Sequence, residues 1–412
     1  MVLGGDCLGN IGGKTVFVPF AVPGETLEVE ITSSKRDYDT AKIVSIIEKS
    51  PHRIEPVCPL YQTCGGCNMM HIESSYQKEL RSQMLKSCFE REKIDVPQII
   101  PVFGSDTGYR CRFQFHDGGL SMRQSNTVVQ LENCPVATDE INQWLKDVPQ
   151  EKRPQGRIHV FGGKCVIPEL NTAAGLLHDK RFSRVILADE EQKQKMQETV
   201  IKAGRRKIKK SVNRYFSGTV LNPANTVTVE ISGKKIAFDV QGFFQSNMDV
   251  LEKSIGLVCD GLSGQNVLDM YSGAGTFSVF LADKFEKVTM VEHNRDALVF
   301  AEINMQGTSH TSYGVSGAKW TAENAPAIIK NEGSFDAVII DPPRSGMEKE
   351  VCQWLCKTHP LHIRSVSCDP ATHARDAAFL IKAGYKLSKL YLLDFYPETS
   401  HIESLAYFDY VI

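Results

Sequence analysis

What the chain has little of sets the first limits. No apolar run approaches the roughly 20 residues that a membrane-crossing helix requires. The opening residues, Met1-Val2-Leu3-Gly4-Gly5-Asp6, carry neither a basic cluster nor an apolar core, so no secretory leader is expected and the protein is expected in the cytoplasm. The 12 cysteines are few for 412 residues and unevenly spaced, which argues against a disulfide scaffold. In a reducing compartment, cysteines that do cluster bind metal or do chemistry. Formal net charge is only -2, so any surface for nucleic acid has to be a local patch. Charged residues at 23% and apolar residues at 42% are ordinary for a globular chain, and the length suffices for two or three domains.

Residues 1 to about 55 alternate turn residues with short β-rich runs at 15–19, 26–31 and 41–47, with Val22-Pro23-Gly24-Glu25 as a turn. Several short strands in so few residues predict a small barrel of the oligonucleotide-binding type. A middle part, 56–235, opens on cysteines and a helix over 74–92. It continues into β-like runs in which Arg110, Arg112 and Arg123 alternate with aromatic and apolar residues. One face of such strands could meet phosphates. Lys202, Arg205, Arg206, Lys207, Lys209, Lys210 and Arg214 follow with no acid between Lys202 and Arg214, a candidate patch for a nucleic-acid backbone. From about 236 to 412, strands alternate with helical segments, which predicts a mostly parallel, doubly wound sheet. Two last strands, 386–393 and 402–410, should pair antiparallel because the gap between them is too short for a crossover helix.

In the middle part, Cys58, Cys64 and Cys67 are spaced Cys-x5-Cys-x2-Cys, and Cys134-Pro135 follows at a distance. Gly65-Gly66 lets the backbone wrap tightly. Four thiolates suit tetrahedral zinc or an iron–sulfur cluster, and the long first gap and the Cys-Pro ending lean towards [4Fe–4S].

The last part carries the other candidates. Asp269-Met270-Tyr271-Ser272-Gly273-Ala274-Gly275-Thr276 is a strand end, a glycine turn and a helix start. It lacks both the dinucleotide fingerprint and the Lys-Ser/Thr of a phosphate loop. With Glu292 ending the next strand, where an acid accepts ribose hydroxyls, the pattern favours a nucleoside cofactor without phosphate, such as S-adenosylmethionine. Asp341-Pro342-Pro343-Arg344 holds an acid at a strand end. Cys368 sits on a turn between a strand at 362–366 and a helix at 375–383, where helix amides would lower its pKa and make it a nucleophile. Glu403 enters an apolar strand, where burial raises an acid's pKa into the range of a base. Phe243-Phe244-Gln245-Ser246-Asn247 lies upstream and could fold over the cofactor.

Taken together these residues resemble the RNA 5-methyluridine methyltransferases, in the branch with a TRAM domain and an iron–sulfur cluster. The resemblance covers nearly the whole chain: 9–25, the four cysteines, Phe244-Gln245-Ser246-Asn247, 269–277, Glu292, Asp341-Pro342-Pro343-Arg344, 367–376 and 397–403 follow in family order. It implies a TRAM barrel over 1–55, a middle domain over 56–235 holding [4Fe–4S] on Cys58, Cys64, Cys67 and Cys134, and a Rossmann-like methyltransferase domain over 236–412. It implies S-adenosylmethionine contacts at Gln245, Tyr271, Thr276, Glu292, Asn324 and Asp341, with Cys368 as nucleophile and Glu403 as base. The implied partner is structured RNA, ribosomal before transfer RNA, bound by a monomer. Thr276, Ser272 and Asp369 depart from the family's usual Asn, Cys and Asn, and Asp369 adds a charge beside the thiol that would oppose thiolate formation unless it is paired. A cytosine-5 enzyme, which would carry a second Cys at the fourth-strand motif, is disfavoured by Asp341-Pro342-Pro343-Arg344.

Overall fold

The computed structural model describes residues 1–153, 156–162 and 226–410. The basic run at 202–214 lies outside the described residues.

The chain begins with four strands, β1 (Cys7–Ile11), β2 (Lys14–Val18), β3 (Thr26–Ser34) and β4 (Tyr38–Glu48), in the order β1-β2-β4-β3. Register shifts at three places bend the β3–β4 pair, and Cys7, Val16, Val18, Ala21 and Ala41 fill the inside. β1 escapes a sequence reading because only Cys7 is buried and its other residues face outward, leaving no alternation to detect.

Helix α1 (Ser74–Arg91) and strand β5 (Ile99–Val102) follow, then β6 (Arg112–His116), β7 (Leu120–Ser121), β8 (Val128–Val129), α2 (Asp139–Asp147) and β9 (Arg157–Phe161). β6 pairs antiparallel with β9, and Phe113 and Phe115 pack beneath Trp144 of α2 in one apolar core. The hairpin β10 (Thr226–Ile231) and β11 (Lys234–Asp239) pairs across residue 236. The boundary drawn there from the sequence therefore falls inside a hairpin.

The remainder is α3 (Met248–Cys259), β12 (Gly264–Met270), α4 (Ser278–Leu281), β13 (Phe285–Val291), α5 (Arg295–Asn304), β14 (His310–Tyr313), α6 (Gly317–Glu323), α7 (Ala325–Glu332), β15 (Ala337–Ile340), α8 (Lys349–Thr358), β16 (His362–Ser367), α9 (Pro370–Lys382), β17 (Tyr385–Leu393) and β18 (Glu403–Tyr410). Eight strands form one sheet, β14-β13-β12-β15-β16-β18-β17-β5, parallel from β14 to β16 and antiparallel at β18. The inner strands are covered on both faces, so β15 reads Ala-Val-Ile-Ile and is wholly buried. From β12 the chain winds outward through β13 and β14, then returns to add β15 on the other side. The carboxyl ends of β12 and β15 thus flank the switch point where such sheets bind ligands.

The middle part is not separate from this sheet. β5 pairs parallel with β17, from Leu390↔Ile99 to Leu393↔Val102, and α1 packs on α9. No helix among the described residues is long and apolar enough to cross a membrane.

Candidate active site

The carboxyl ends of the strands open on a cavity of about 880 Å³. Cys368, Glu403, Gln245, Tyr271, Thr276, Glu292 and Asp341 all line it. Asn324 does not. It caps the end of α6, its amide donating to the Trp320 carbonyl at 2.9 Å, and the cavity wall beyond β14 is built from Val315, Ser316 and Gly317 instead.

The turn after β12 is built for close approach. Tyr271 has φ +66°, a left-handed conformation uncommon for a non-glycine residue, and Gly273 has φ +55°. A Cβ on Gly273 would meet no neighbour, so its backbone faces open space. Glu292 braces the turn: its Oε2 accepts from the Gly273 amide at 2.9 Å and its Oε1 from the Asn294 amide at 2.6 Å. The carboxylate is fixed by backbone donors yet keeps lone pairs for further ones. The Ser272 hydroxyl lines the same cavity, is buried, and has no hydrogen-bond partner. An orphaned hydroxyl beside bare glycine backbone and a braced carboxylate fits a polar, nucleoside-like ligand.

Asp269, beneath the turn, accepts from the Ser278 hydroxyl at 2.5 Å and leaves Oδ1 unpaired, and burial pushes it up to about 7. Tyr271 reaches across to Glu348: its hydroxyl donates to Oε2 at 3.4 Å and accepts from the Glu348 amide at 3.2 Å. Glu348 Oε2 also accepts from the Ala318 amide at 3.2 Å, so this one carboxylate ties together the loops after β12, β14 and β15.

Cys368 stands between β16 and α9. The helix starts at Pro370, five residues before the sequence expectation, because Asp369 caps it by accepting from the Thr372 amide at 2.9 Å and Pro370 suits the first turn. The expected lowering of the thiol is overturned. Burial first, then the charges of Glu403 and Asp341, push Cys368 up to about 11, against a smaller pull from Arg344. Asp369 is engaged by the helix cap and is not among the groups that raise the thiol. Glu403 is 4% exposed, and burial together with Asp341 raises it to about 8. The Gln245 amide donates to its Oε2 at 3.3 Å. Asp341 is raised to about 7 by burial and by Glu292. Phe244 is buried and stacked on Phe238 with ring centroids 3.9 Å apart, whereas Phe243 stands 71% exposed at the cavity mouth.

A second cavity, of about 360 Å³, is lined by all four predicted cysteines, Cys58, Cys64, Cys67 and Cys134. Burial first raises Cys64, Cys67 and Cys134, and neighbouring thiols add to it: Cys134 and Cys64 on Cys67, and Cys58 on Cys64 and Cys134. Among the described residues no three His, Cys, Asp or Glu side chains are grouped tightly enough to hold a single metal ion. Cys134 is fixed from α2, where Asn142 accepts from its amide at 2.8 Å and donates to its carbonyl at 3.0 Å. The three arginines of the β-like runs are half-buried and engaged with protein groups. Arg110 lines the thiol cavity beside the Phe113 ring, Arg112 donates to the Gly242 carbonyl at 2.6 Å, and Arg123 lies 4.3 Å over the Phe20 ring. Alternation alone could not show which face of those strands is covered.

Residues 77–410 match the family described as tRNA (Uracil-5-)-methyltransferase, and residues 4–44 match the TRAM domain. A Treponema denticola protein described as an uncharacterized RNA methyltransferase is 34% identical over 99% of this chain and 97% of its own length. The chain belongs to the RNA uracil-5-methyltransferase family. The 23S rRNA (uracil(1939)-C(5))-methyltransferase of Yersinia enterocolitica is 29% identical over 96% of this chain and 90% of its own. The tRNA (uracil-54, C5)-methyltransferase of Pyrococcus abyssi, solved with S-adenosyl-L-homocysteine, shares the fold with a TM-score of 0.65 over 95% of both chains at 21% identity. This uracil-5-methyltransferase catalyses S-adenosylmethionine-dependent methylation of C5 of uracil in RNA.

Three residues of this methyltransferase's site, Glu348, Ser316 and Gly317, escaped the sequence reading. Glu348 follows a helix-capping pattern that gives no hint of its contacts with Tyr271 and Ala318. Ser316 and Gly317 line the cavity beyond β14, eight and seven residues before Asn324.

Proposed function

We propose that Cys368 is the nucleophile and Glu403 the base of this methyltransferase, and that S-adenosylmethionine lies in the 880 Å³ cavity against the Tyr271–Thr276 turn. The observation that carries this is the convergence of Cys368, Glu403, Gln245, Asp341 and Glu292 on one cavity at the sheet's switch point. When bound, the sulfonium donor supplies an electrophilic methyl group. The Cys368 thiolate adds to C6 of uracil, and the π electrons move towards C5 and O4. C5 takes the methyl, while the donor's sulfur keeps the bonding pair. Glu403 then removes the C5 proton, the C5–C6 double bond re-forms, and Cys368 leaves with the C–S pair. Gln245 holds the Glu403 carboxylate in place, and a paired uridine would have to swing out of its stack to reach the thiol.

Glu292 would hold the ribose hydroxyls, and Gln245, Tyr271, Thr276 and Asp341 would contact the rest of the donor. The thiol cavity supports a [4Fe–4S] cluster: it gathers four cysteines, and a four-iron cubane spreads its ligands more widely than one tetrahedral zinc does. Residues 1–55 would hold RNA, the middle part would carry the cluster, and 236–412 would do the chemistry. Relatives acting on 23S rRNA and matching over more than nine-tenths of this chain favour a large-subunit ribosomal uridine over a tRNA one.

RNA containing 5-fluorouridine tests the chemistry. Fluorine cannot leave C5 as a proton does, so wild-type protein should form a covalent complex that survives denaturation, and Cys368→Ser should form none. A wild type that forms no such complex would remove Cys368 from the mechanism. Mass mapping of 5-methyluridine in RNA from cells with and without the gene would identify the target.

A further inference from the structure

We propose that Asn68 is a positioning residue for Glu403, and that through it the thiol-lined cavity and the base are coupled. The inference rests on Glu403 acting as the base.

The segment 394–402 carries the chain from the end of β17 to Glu403 and forms neither helix nor strand. It is shaped by the middle part of the chain. Asn68, directly after Cys67, accepts from the Ser400 amide through Oδ1 at 2.8 Å. Its Nδ2 donates to the Ser400 hydroxyl and to the Gly4 carbonyl, both at 2.9 Å. The amides of Asn68 and Met69 both donate to the Glu398 carbonyl, at 3.2 and 3.0 Å. Glu398 has φ +66°, a left-handed conformation that such outside bonds hold in place. Further clamps come from Tyr109, whose hydroxyl donates to the Pro397 carbonyl at 2.9 Å, and from Arg81, which donates to the Thr399 carbonyl at 3.1 Å and Asp394 at 2.9 Å.

Neither Asn68 nor Ser400 lines the reaction cavity, so neither touches the reacting atoms. Ser400 is three residues from Glu403, a reach of roughly 10 Å of extended chain. A shift of the Cys67–Met69 segment is therefore delivered to the base within one short stretch. On the other side, the Tyr396 hydroxyl of the same segment donates to Gln245 at 3.5 Å, and Gln245 donates to Glu403. The segment thus joins the two cavities, with a cysteine's neighbour at one end and the base at the other.

Fluorinated and deuterated RNA separate base positioning from everything before it. Formation of the 5-fluorouridine complex needs the thiol and methyl transfer but no proton removal, so Asn68→Ala should form it within about twofold of the wild-type rate while turnover on uridine RNA falls roughly 10- to 100-fold. With 5-deuterouridine RNA the variant should show a larger primary isotope effect than wild type, because proton removal has become the slow step. Asn68→Asp, which keeps the acceptor for the Ser400 amide, should recover part of the turnover. Ser400→Ala, which removes one hydrogen bond, should fall between. Cys67→Ser should reproduce the enlarged isotope effect. If complex formation falls in step with turnover and the isotope effect is unchanged in Asn68→Ala and Ser400→Ala, the positioning role is overturned. If only Cys67→Ser lacks the signature, the coupling to the thiol cavity is overturned and the role of Asn68 stands. A wild type that forms no fluorouridine complex would instead sink the nucleophile–base reading.

Discussion

Tyr271 and Glu348 hold each other twice, hydroxyl to carboxylate at 3.4 Å and amide to hydroxyl at 3.2 Å, across the mouth of β12 and β15. The pair fixes a tyrosine in a left-handed turn that its own backbone disfavours. A carboxylate that also takes the Ala318 amide shapes the wall on which the methyl donor would rest. Glu348→Ala should raise the Kd for S-adenosylhomocysteine about tenfold, equivalent to about 1.4 kcal/mol, and leave RNA affinity unchanged. Calorimetric titration of each ligand checks both halves.

The acids of the site predict a pH dependence. Glu403 lies at about 8 and Cys368 at about 11. The base form of Glu403 exists above its pKa, and thiolate accumulates towards that of Cys368, so turnover should climb from about pH 6 to about pH 9. Formation of the fluorouridine complex needs the thiol and methyl transfer but no proton removal. In Glu403→Gln it should still rise with pH, without a step near 8. Rates of complex formation on denaturing gels across that range are the measurement.

The same burial acts on stability with the opposite sign. Folded Glu403 keeps its proton up to about 8, against an ordinary value of 4.5, so between those values the folded chain binds more protons than the unfolded one. Stability contributed at this site therefore falls as pH rises through that window. Glu403→Gln removes the loss. Its Tm relative to wild type should be higher at about pH 9 than at about pH 5, as expected where a reactive group is kept at a cost to stability.

Arg344 is exposed at the cavity mouth and lowers both Cys368 and Glu403. Arg344→Met should move both groups up and shift the rise in turnover to higher pH, with several-fold less activity at neutral pH and near-wild-type activity in alkali. A pH–rate profile without that displacement would show that the arginine acts by contacting RNA rather than through charge.

Asn142 clamps the backbone of Cys134 from α2 without lining the thiol cavity. Removing a group that orients a metal ligand typically costs about 10- to 100-fold in metal affinity. On the proposal that the thiol cavity holds a [4Fe–4S] cluster, Asn142→Ala should be purified with less iron and sulfide per chain than wild type. Helix α2 itself should stay in place in that variant, because Ile141, Trp144 and Leu145 anchor it in the core. Equal iron content would assign the clamp to folding alone.

How much could be read beforehand depended on where the information lay. The alternation of apolar strands and helices after residue 236 reports a sheet buried on both faces, so a mostly parallel, doubly wound sheet with an antiparallel last pair followed from it. Cys368, Glu403 and Glu292 were legible because each sits at a strand end, where position along the chain fixes position in the crevice. Asn324 has no such anchor: it ends helix α6, outside the cavity lining. The contacts of Arg112 and Arg123 were hidden because their partners, Gly242 and Phe20, are distant in sequence. The raised thiol of Cys368 was missed for a related reason: helix amides are local, whereas Glu403 and Asp341 come from other strands.

Strand β5 occupies the margin of the great sheet beyond β17, and α1 lies over α9. A gene fragment beginning near residue 236 would encode a catalytic half with a bare row of backbone donors and acceptors and an uncovered apolar helix face, prone to self-association. Recombination could not exchange the part of the chain before that point without also breaking the sheet. Variation in that part of the chain would then have to come by substitution, residue by residue, and not by exchange of ready-made modules.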